Sequence, residues 1–186
     1  MTARVRFLPF ALLLAVAAPG VAGAADYTVR PGSMLGFSSS FQGSSFDGHF
    51  DTWTATIHYD PAQLASSAFD VTVDLSSAKT GDNDRDNALP GTDFFDVAKY
   101  PQAHFVTTAF HQQGGQVIAE GMLTLHGVTK PVRLNINFKP QGSGATLDVS
   151  GSLKRLDFGV GGGQYQDTSV IGADVAVTAH LVLGAK

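Results

Sequence analysis

Much of the chain alternates between apolar and polar residues with a period of two, which is the pattern of β-strands that bury one face. The clearest case runs from Trp53 to Tyr59, where Trp, Ala, Ile and Tyr alternate with Thr, Thr and His. The same alternation predicts further strands over 69–75, 117–125, 132–138, 147–153 and 175–183. With an early pair near 27–30 and 34–41, the pattern predicts about eight antiparallel strands.

Turn-forming pairs such as Asp60-Pro61 and Gly114-Gly115 separate these segments. Helix is scarce: we predict one turn over 61–65 and a second over 83–89 that ends at Pro90-Gly91. The chain is therefore all-β. The alternation fits either two packed sheets or a closed barrel, and a barrel of eight strands would have no exposed edges and could enclose one small ligand.

One segment departs from the alternation, because Phe94 and Phe95 stand next to each other between Asp93 and Asp96. Neighbouring side chains of a strand point to opposite faces. Two adjacent phenylalanines therefore predict a turn or short helix that places both rings over an apolar opening. We expect the two aspartates to cap backbone amides, and the segment to form the lip of an apolar interior.

Three segments of the chain carry recognisable motifs. They are residues 85–105 (with Arg85-Asp86, Leu89, DFFD at 93–96, Tyr100-Pro101 and Phe105), GMLTLHGVTKPV at 121–132, and RLDFGVG at 155–161 followed by IGADV at 171–175. Taken together and in this order, they resemble the YceI-like family. The resemblance covers roughly Asp26 to Leu183. It implies a lipocalin-like β-barrel of the periplasm that binds polyisoprenoids, and it favours the barrel over the two-sheet alternative.

The N-terminus has the three parts of a secretory signal. Arg4 and Arg6 precede an apolar run over 7–18, and Ala22-Gly23-Ala24 offers a cleavage site. The alternative is a membrane anchor, but the run is shorter than the ~20 residues that span a bilayer. We predict a cleaved signal peptide at 1–25, one domain at 26–186 and a periplasmic location. The chain has no cysteine, so the domain depends on its core for stability.

The charge balance weighs against two classes of partner. The formal net charge is −4, and loss of Arg4 and Arg6 with the signal would change it to −6. A mildly acidic chain without a basic run argues against binding to nucleic acid or to anionic lipid surfaces.

Polar chemistry offers few candidates. No two of the six histidines have the strand or helix spacing of a metal pair, and we expect His58, His126 and His180 to face water. We predict no metal and no cofactor, although a site built from scattered residues stays open. Gly159 to Gly163 lacks the Lys-Ser/Thr of a phosphate loop, so we predict a mobile hairpin loop there.

Arg85 and Asp86, with Asp93 and Asp96, form the one cluster that could carry chemistry. It could bind a ligand headgroup or act in acid–base catalysis. In the structural alternative the aspartates cap turns and Arg85 pairs with one of them. We predict no catalytic residue, and we take Arg85 and Asp86 as candidates for the mouth of a cavity.

Aromatic residues are the stronger signal, with thirteen phenylalanines and one tryptophan. They could fill an ordinary core, but broad apolar rings also suit the wall of a lipid-binding tunnel. We place Phe94 and Phe95 at the lip. The residues predicted for the wall are Phe37, Phe41, Trp53, Phe105, Leu123, Leu134, Phe138, Phe158 and Leu181.

The function implied by the resemblance is that of a binding protein, not an enzyme. It would sequester or carry a long polyisoprenoid or the tail of an isoprenoid quinone. Two alternatives remain. The barrel could be an accessory docking protein that makes transient contact with a membrane redox complex. It could also be an enzyme acting on an isoprenoid lipid, with the DFFD segment and Arg85 as its polar site.

Overall fold

The structure is a computed structural model that describes residues 25–186. It contains eleven strands and one short α-helix, α1 (Asn83–Ala88). The strands are β1 (Ala25–Val29), β2 (Met34–Phe41), β3 (Ser44–Phe50), β4 (Trp53–Tyr59), β5 (Ala68–Asp74), β6 (Ala78–Lys79), β7 (Gln102–Gln113), β8 (Gln116–Leu125), β9 (Val128–Gln141), β10 (Gly144–Lys154) and β11 (Asp174–Ala185).

These strands form a closed antiparallel barrel with eight positions. Strands β1 and β2 follow one another along β11, which pairs with both. In the same way, the second position is shared by β3 and β4, and the third is shared by β5 and β6. The other positions are single strands from β7 to β11, and the pairing of β1 with β11 closes the ring. The predicted eight-stranded barrel is confirmed.

Strands β3, β6 and β7 are missing from the predicted set, and β7 is missing because a bulge breaks its alternation. The register against β8 shifts between Thr107 and Ala109. As a result Phe105, at an odd position, and Phe110, at an even position, both face the interior. A period-two search fails on such a strand, since the inward phase changes half-way along it.

Packed aromatic rings close the lower end of the barrel. Tyr59 lies at the centre, with ring centroids 4.7 Å from Phe138 and 6.0 Å from both Phe69 and Phe110. Tyr27 packs edge-on against Phe138 at 5.6 Å. We call these five residues the aromatic floor. They show that the lower part of the barrel is a filled core.

Loops cover the opposite, upper end. The predicted turn over 83–89 is confirmed as α1, which begins after Asp82, whose carboxylate accepts the N–H of Arg85 at 3.0 Å. The other predicted helical turn is displaced from 61–65 to a 3-10 turn at Leu64–Ser66. The buried Asp60 accepts the N–H of Ala62 at 2.8 Å and so stabilises a separate turn before it. Over residues 25–186, no helix has the length and apolar character needed to cross a bilayer.

Candidate ligand-binding cavity

An apolar cavity of about 250 Å³ lies inside the barrel above the aromatic floor. Its lining side chains come from strands around the barrel, from the DFFD segment and from the upper loop, residues 155–173. Apart from the indole of Trp53, the lining residues with polar side chains are Ser39, Ser152 and Arg155. The surface that a ligand would meet is therefore almost entirely hydrocarbon.

The wall residues show that this part of the interior is open. Val73, Val149 and Val177 all face the cavity, yet each is only half-buried. Side chains inside a filled small barrel would be buried by one another. The packed-core and cavity alternatives thus each hold for a different part of the barrel: the floor is packed, and the volume above it is not.

Eight of the eleven aromatic and aliphatic residues predicted for the wall or lip border the cavity. They are Phe37, Trp53, Phe94, Phe95, Phe105, Leu123, Leu134 and Leu181.

Three predicted wall residues lie elsewhere. Phe138 belongs to the aromatic floor. Phe158 lies in a 3-10 turn at Arg155–Phe158 and is buried in the cluster beneath the upper loop. Phe41 ends β2 at the tip of a hairpin and is 39% exposed. Alternation assigns Phe41 and Phe138 to the inner face of the barrel but not to a height along its axis, whereas Phe158 lies outside the strands.

The DFFD segment is a turn that brings both rings to the cavity, as predicted. Phe94 donates its N–H to the carbonyl of Gly91 and Phe95 donates to that of Leu89, each at 3.0 Å. Phe95 is buried, while Phe94 packs on Tyr165 of the upper loop with ring centroids 5.0 Å apart. The two phenylalanines therefore join the loop between β6 and β7 to the upper loop across the end of the cavity.

The role predicted for the aspartates of this segment is wrong. Asp93 accepts a hydrogen bond from the side-chain amide of Gln164 at 3.3 Å. Asp96 adopts a left-handed φ of 48° inside the turn. Within residues 25–186, neither carboxylate caps a backbone amide, so backbone hydrogen bonds hold the turn without them.

Arg85 and Asp86 do not border the cavity. The guanidinium of Arg85 stacks over the ring of Phe46 at 4.6 Å, and Phe46 is itself a wall residue, so Arg85 packs on the wall without lining the cavity. Its ionic partner is Asp82 at 3.5 Å, not one of the aspartates of the predicted cluster. Asp86 accepts the N–H and the hydroxyl of Thr80, each at 2.7 Å, and ties α1 to the end of β6. Neither candidate mouth residue therefore lines the cavity.

Arg155 is the polar residue that sequence reasoning missed. Only 3% of it is exposed, and it borders the cavity. Its guanidinium donates to backbone carbonyls of the upper loop, among them those of Gly172 at 3.0 Å, Tyr165 at 2.7 Å and Ile171 at 3.0 Å. Burial lowers the pKa of this guanidinium. Arg155 therefore organises the upper loop from within, and Val160 and Gly161 accept its remaining hydrogen bonds.

A signal for Arg155 was present in the alternation. Leu147, Val149, Gly151 and Leu153 occupy the inward phase of β10, and Arg155 continues the same phase two residues later. An arginine on an inward phase must find partners inside the protein, because an isolated buried charge is costly.

Comparison with known proteins agrees with this architecture. Residues 27–183 match the model of the YceI-like domain. This chain belongs to the YceI-like family. The UPF0312 protein of Pseudomonas savastanoi pv. phaseolicola is 36% identical to it over 163 residues, which covers 82% of this chain and 85% of that protein.

Two solved structures share the YceI-like fold of the chain. BcnA of Burkholderia cenocepacia superposes with a TM-score of 0.80 at 31% identity and covers 83% of this chain and 99% of its own. A polyisoprenoid-binding domain from Saccharophagus degradans, implicated in plant cell wall breakdown, superposes with a TM-score of 0.64 and covers 88% of this chain and 99% of its own. At 20% identity, this second likeness is one of fold.

Four of the six histidines of this YceI-like protein, His49, His58, His104 and His180, pair with aspartates. His58 bonds to Asp26 at 2.9 Å and His180 to Asp148 at 2.6 Å. The prediction for His126 is wrong: it is half-buried in the turn between β8 and β9, where its Nδ1 lies 3.2 Å from the carbonyl of Phe158. Across residues 25–186, no three acidic or histidine side chains are grouped to hold a metal ion.

Residues Gly159 to Gly163 lie within the upper loop, which joins β10 to the antiparallel β11. Gly161 donates its N–H to the carbonyl of Asp93 at 2.8 Å and accepts a hydrogen bond from Arg155. Its φ of 66° and the nearby Nη1 of Arg155 leave no room for a side chain. Glycine at this position lets the upper loop meet the DFFD segment closely.

The bond between Asp86 and Thr80 predicts a pH-dependent contribution to stability. Hydrogen bonds from the hydroxyl and then the N–H of Thr80 hold the pKa of Asp86 below its ordinary value of 3.8. A carboxylate with a depressed folded-state pKa stabilises the fold above its unfolded pKa, and this is lost as the pH falls through the folded value. We expect Asp86→Asn to lower the free energy of unfolding at neutral pH and to flatten its decline below about pH 4.

Urea unfolding of the wild type and Asp86→Asn, from neutral pH to about pH 2, measures this difference. Asp84→Asn is the matched control, since Asp84 is an exposed residue of the same helix. Identical pH dependence in all three proteins would contradict the assignment.

Proposed function

We propose that this YceI-like protein binds the apolar tail of a polyisoprenoid or an isoprenoid quinone inside the barrel and carries it through the periplasm. The observation that carries the proposal is the cavity itself, an open volume of about 250 Å³ with walls of hydrocarbon. A structural neighbour with the same fold is a polyisoprenoid-binding domain, which supports this class of ligand. The signal peptide predicted at 1–25 lies, except for Ala25, outside the described residues, and the prediction supports the periplasmic location.

The energetics suit an apolar tail. Each buried CH₂ group stabilises a complex by ~0.8 kcal/mol. Several isoprene units would give more than specific binding requires, so ordering of the tail and its removal from a membrane must offset much of this gain. The cavity is slightly smaller than the roughly 300–1,000 Å³ typical of small-molecule sites. We therefore expect it to enclose part of a long tail and to leave the headgroup outside.

The chemistry around the cavity favours binding over catalysis. The Ser39 hydroxyl donates to the carbonyl of Asp174 at 3.3 Å, and the N–H groups of Arg155 are engaged by carbonyls. General acid–base catalysis needs a titratable group within reach of the reacting atoms. Among the described residues that border the cavity, Arg155 is the titratable one, and an arginine stays protonated.

Mass spectrometry of an organic extract tests the proposal. The protein would be purified from its native periplasm without detergent, beside an unrelated periplasmic protein carried through the same steps. We expect a polyprenyl compound in near-stoichiometric amount in the extract of this protein alone. An extract free of isoprenoids, from folded and monodisperse protein, would reject the proposed cargo.

A further inference from the structure

Three glycines lie on the inward phase of the wall strands, where large apolar residues otherwise stand. Gly48 lies between the wall residues Phe46 and Phe50 of β3. Gly121 precedes Leu123 on β8, and Gly151 itself borders the cavity on β10. A glycine inside a strand weakens it, so a close approach by another group is the usual reason for one.

Each of these glycines lies under a large side chain of the neighbouring strand. Phe37 of β2 pairs directly with Gly48, and a Cβ at Gly48 would stand under 3.0 Å from three atoms of the Phe37 ring. A Cβ at Gly121 would stand 2.5 Å from the ring of Phe105. The covering side chains, which also include Leu134 over Gly151, all border the cavity.

The absence of a side chain at each glycine decides how the covering residue is oriented. Because the glycines leave the strand surface bare, the rings of Phe37 and Phe105 can lie against the wall. A methyl group on the glycine would lift the ring off the wall, and the open volume on its other side is the cavity. A substitution at such a glycine should therefore narrow the cavity indirectly, because the displaced ring enters the open volume and the new methyl group does not.

We propose that Gly48, Gly121 and Gly151 set the width of the cavity, and with it the preference for methyl-branched over unbranched tails. This inference rests on the proposed function, since it concerns the tail bound there. Isoprenoid tails carry regular methyl branches and are wider than straight alkyl chains. Filling the space at Gly48, next to Phe37, should lower the affinity for a branched tail more than the affinity for a straight one, because only the branches need the extra width.

Gly48 allows the cleanest test. The near atoms that a Cβ would meet there all belong to the Phe37 ring, whereas at Gly121 and Gly151 they include the backbone oxygens of Val106 and Arg133. The φ of Gly48 lies outside the left-handed region, so alanine fits its backbone. Gly162→Ala is the matched control, since its Cβ would meet no atom closer than 3.6 Å.

The experiment measures the affinities of the full exported protein for geranylgeraniol, which is methyl-branched, and for hexadecanol, an unbranched alcohol of equal main-chain length. Fluorescence of Trp53, the single tryptophan of the chain, reports binding from within the wall. We expect Gly48→Ala to lower the branched-to-straight affinity ratio about tenfold, a typical effect of a misfitted methyl group. Adding Phe37→Ala should restore the ratio, and Gly162→Ala should leave it unchanged.

Equal weakening for both alcohols, or no restoration by Phe37→Ala, would overturn the inference. A crystal structure of Gly48→Ala provides a readout that needs no ligand: a Phe37 ring displaced toward the barrel axis supports it, and a ring in its original place overturns it. A wild-type protein that binds neither alcohol would count against the proposed function instead, while the position of the Phe37 ring would still decide the role of Gly48.

Discussion

Replacing Trp53 with aspartate is expected to lower the affinity for an isoprenoid tail at least about 100-fold while the barrel stays folded. Trp53 is half-buried and borders the cavity from β4. A carboxylate there would keep its water in the unliganded barrel, but a bound hydrocarbon tail would displace that water and offer no hydrogen bond. Burying an unpaired polar group costs roughly 2–7 kcal/mol, and about 2.7 kcal/mol corresponds to the expected factor of 100.

Calorimetric titration with geranylgeraniol measures this loss, since the variant lacks the fluorescent tryptophan. Thr54→Asp introduces the same charge at the next residue of β4, which is exposed on the outer face. We expect that control to bind like the wild type. Trp53→Phe should retain most of the affinity, because it keeps an apolar ring in the wall. Undiminished binding by a folded Trp53→Asp protein would reject the cavity as the binding site.

Replacing Arg155 with methionine is expected to lower the free energy of unfolding by about 3–5 kcal/mol, because several buried carbonyls lose their donor. The guanidinium is buried and donates hydrogen bonds to carbonyls spread over residues 160–172. Methionine fills similar space but offers no donor, so these carbonyls would have to find water or remain unpaired. Each buried group left without a partner costs about 1–3 kcal/mol, although such costs do not simply add.

Urea unfolding gives the free energy, and hydrogen exchange shows where it is lost. We expect faster exchange in the upper loop and in the DFFD segment, since Gly161 donates to the carbonyl of Asp93. Exchange in the aromatic floor should change least, because the floor packs at the other end of the barrel. Lys154→Met is the control: Lys154 is exposed, and its pair with Asp174 at 3.6 Å is worth less than about 1 kcal/mol. An Arg155→Met protein as stable as this control would show that the loop holds itself together.

The two variants separate the parts of the site. Trp53→Asp changes the wall and leaves the upper loop intact, whereas Arg155→Met releases the loop and leaves the wall strands in place. If the upper loop only closes the barrel, Arg155→Met should alter the rate of tail exchange more than the amount bound. If the loop also forms part of the binding surface, the amount of tail that is bound should fall as well.

The alternation of side chains identified most strands but missed β3 and β6, and it failed at β7, where a bulge breaks the regular geometry. β10 and β11 were predicted within a few residues because their inward residues keep one phase throughout. β7 was missed because its bulge moves Phe110 onto the phase opposite to that of Phe105. The turn at Phe94 and Phe95 was predicted because two adjacent inward rings are incompatible with a strand.

Placement of individual residues was less predictable than the strands that hold them. Phe138 and Leu134 share one face of β9, yet Phe138 packs in the floor and Leu134 borders the cavity. Their difference lies in height along the barrel axis, which depends on the register of every strand around the ring. Arg85 and Asp86 are close in sequence to the DFFD segment, but neither lines the cavity: Arg85 stacks on Phe46, and Asp86 is hydrogen-bonded to Thr80.

Four features could be recognised from the amino-acid sequence: the all-β class, the inward faces of most strands, the turn at the DFFD segment and membership of the YceI-like family. These follow from short-range rules, since a period of two, a turn residue or a motif can be recognised within a few positions. Three other features became visible in the folded barrel: the height of each aromatic ring, the open volume above the floor, and the anchoring of the upper loop by Arg155. Those features join residues distant in the chain, such as Phe37 over Gly48 or Arg155 beneath Ile171, and they exist only once the barrel has closed.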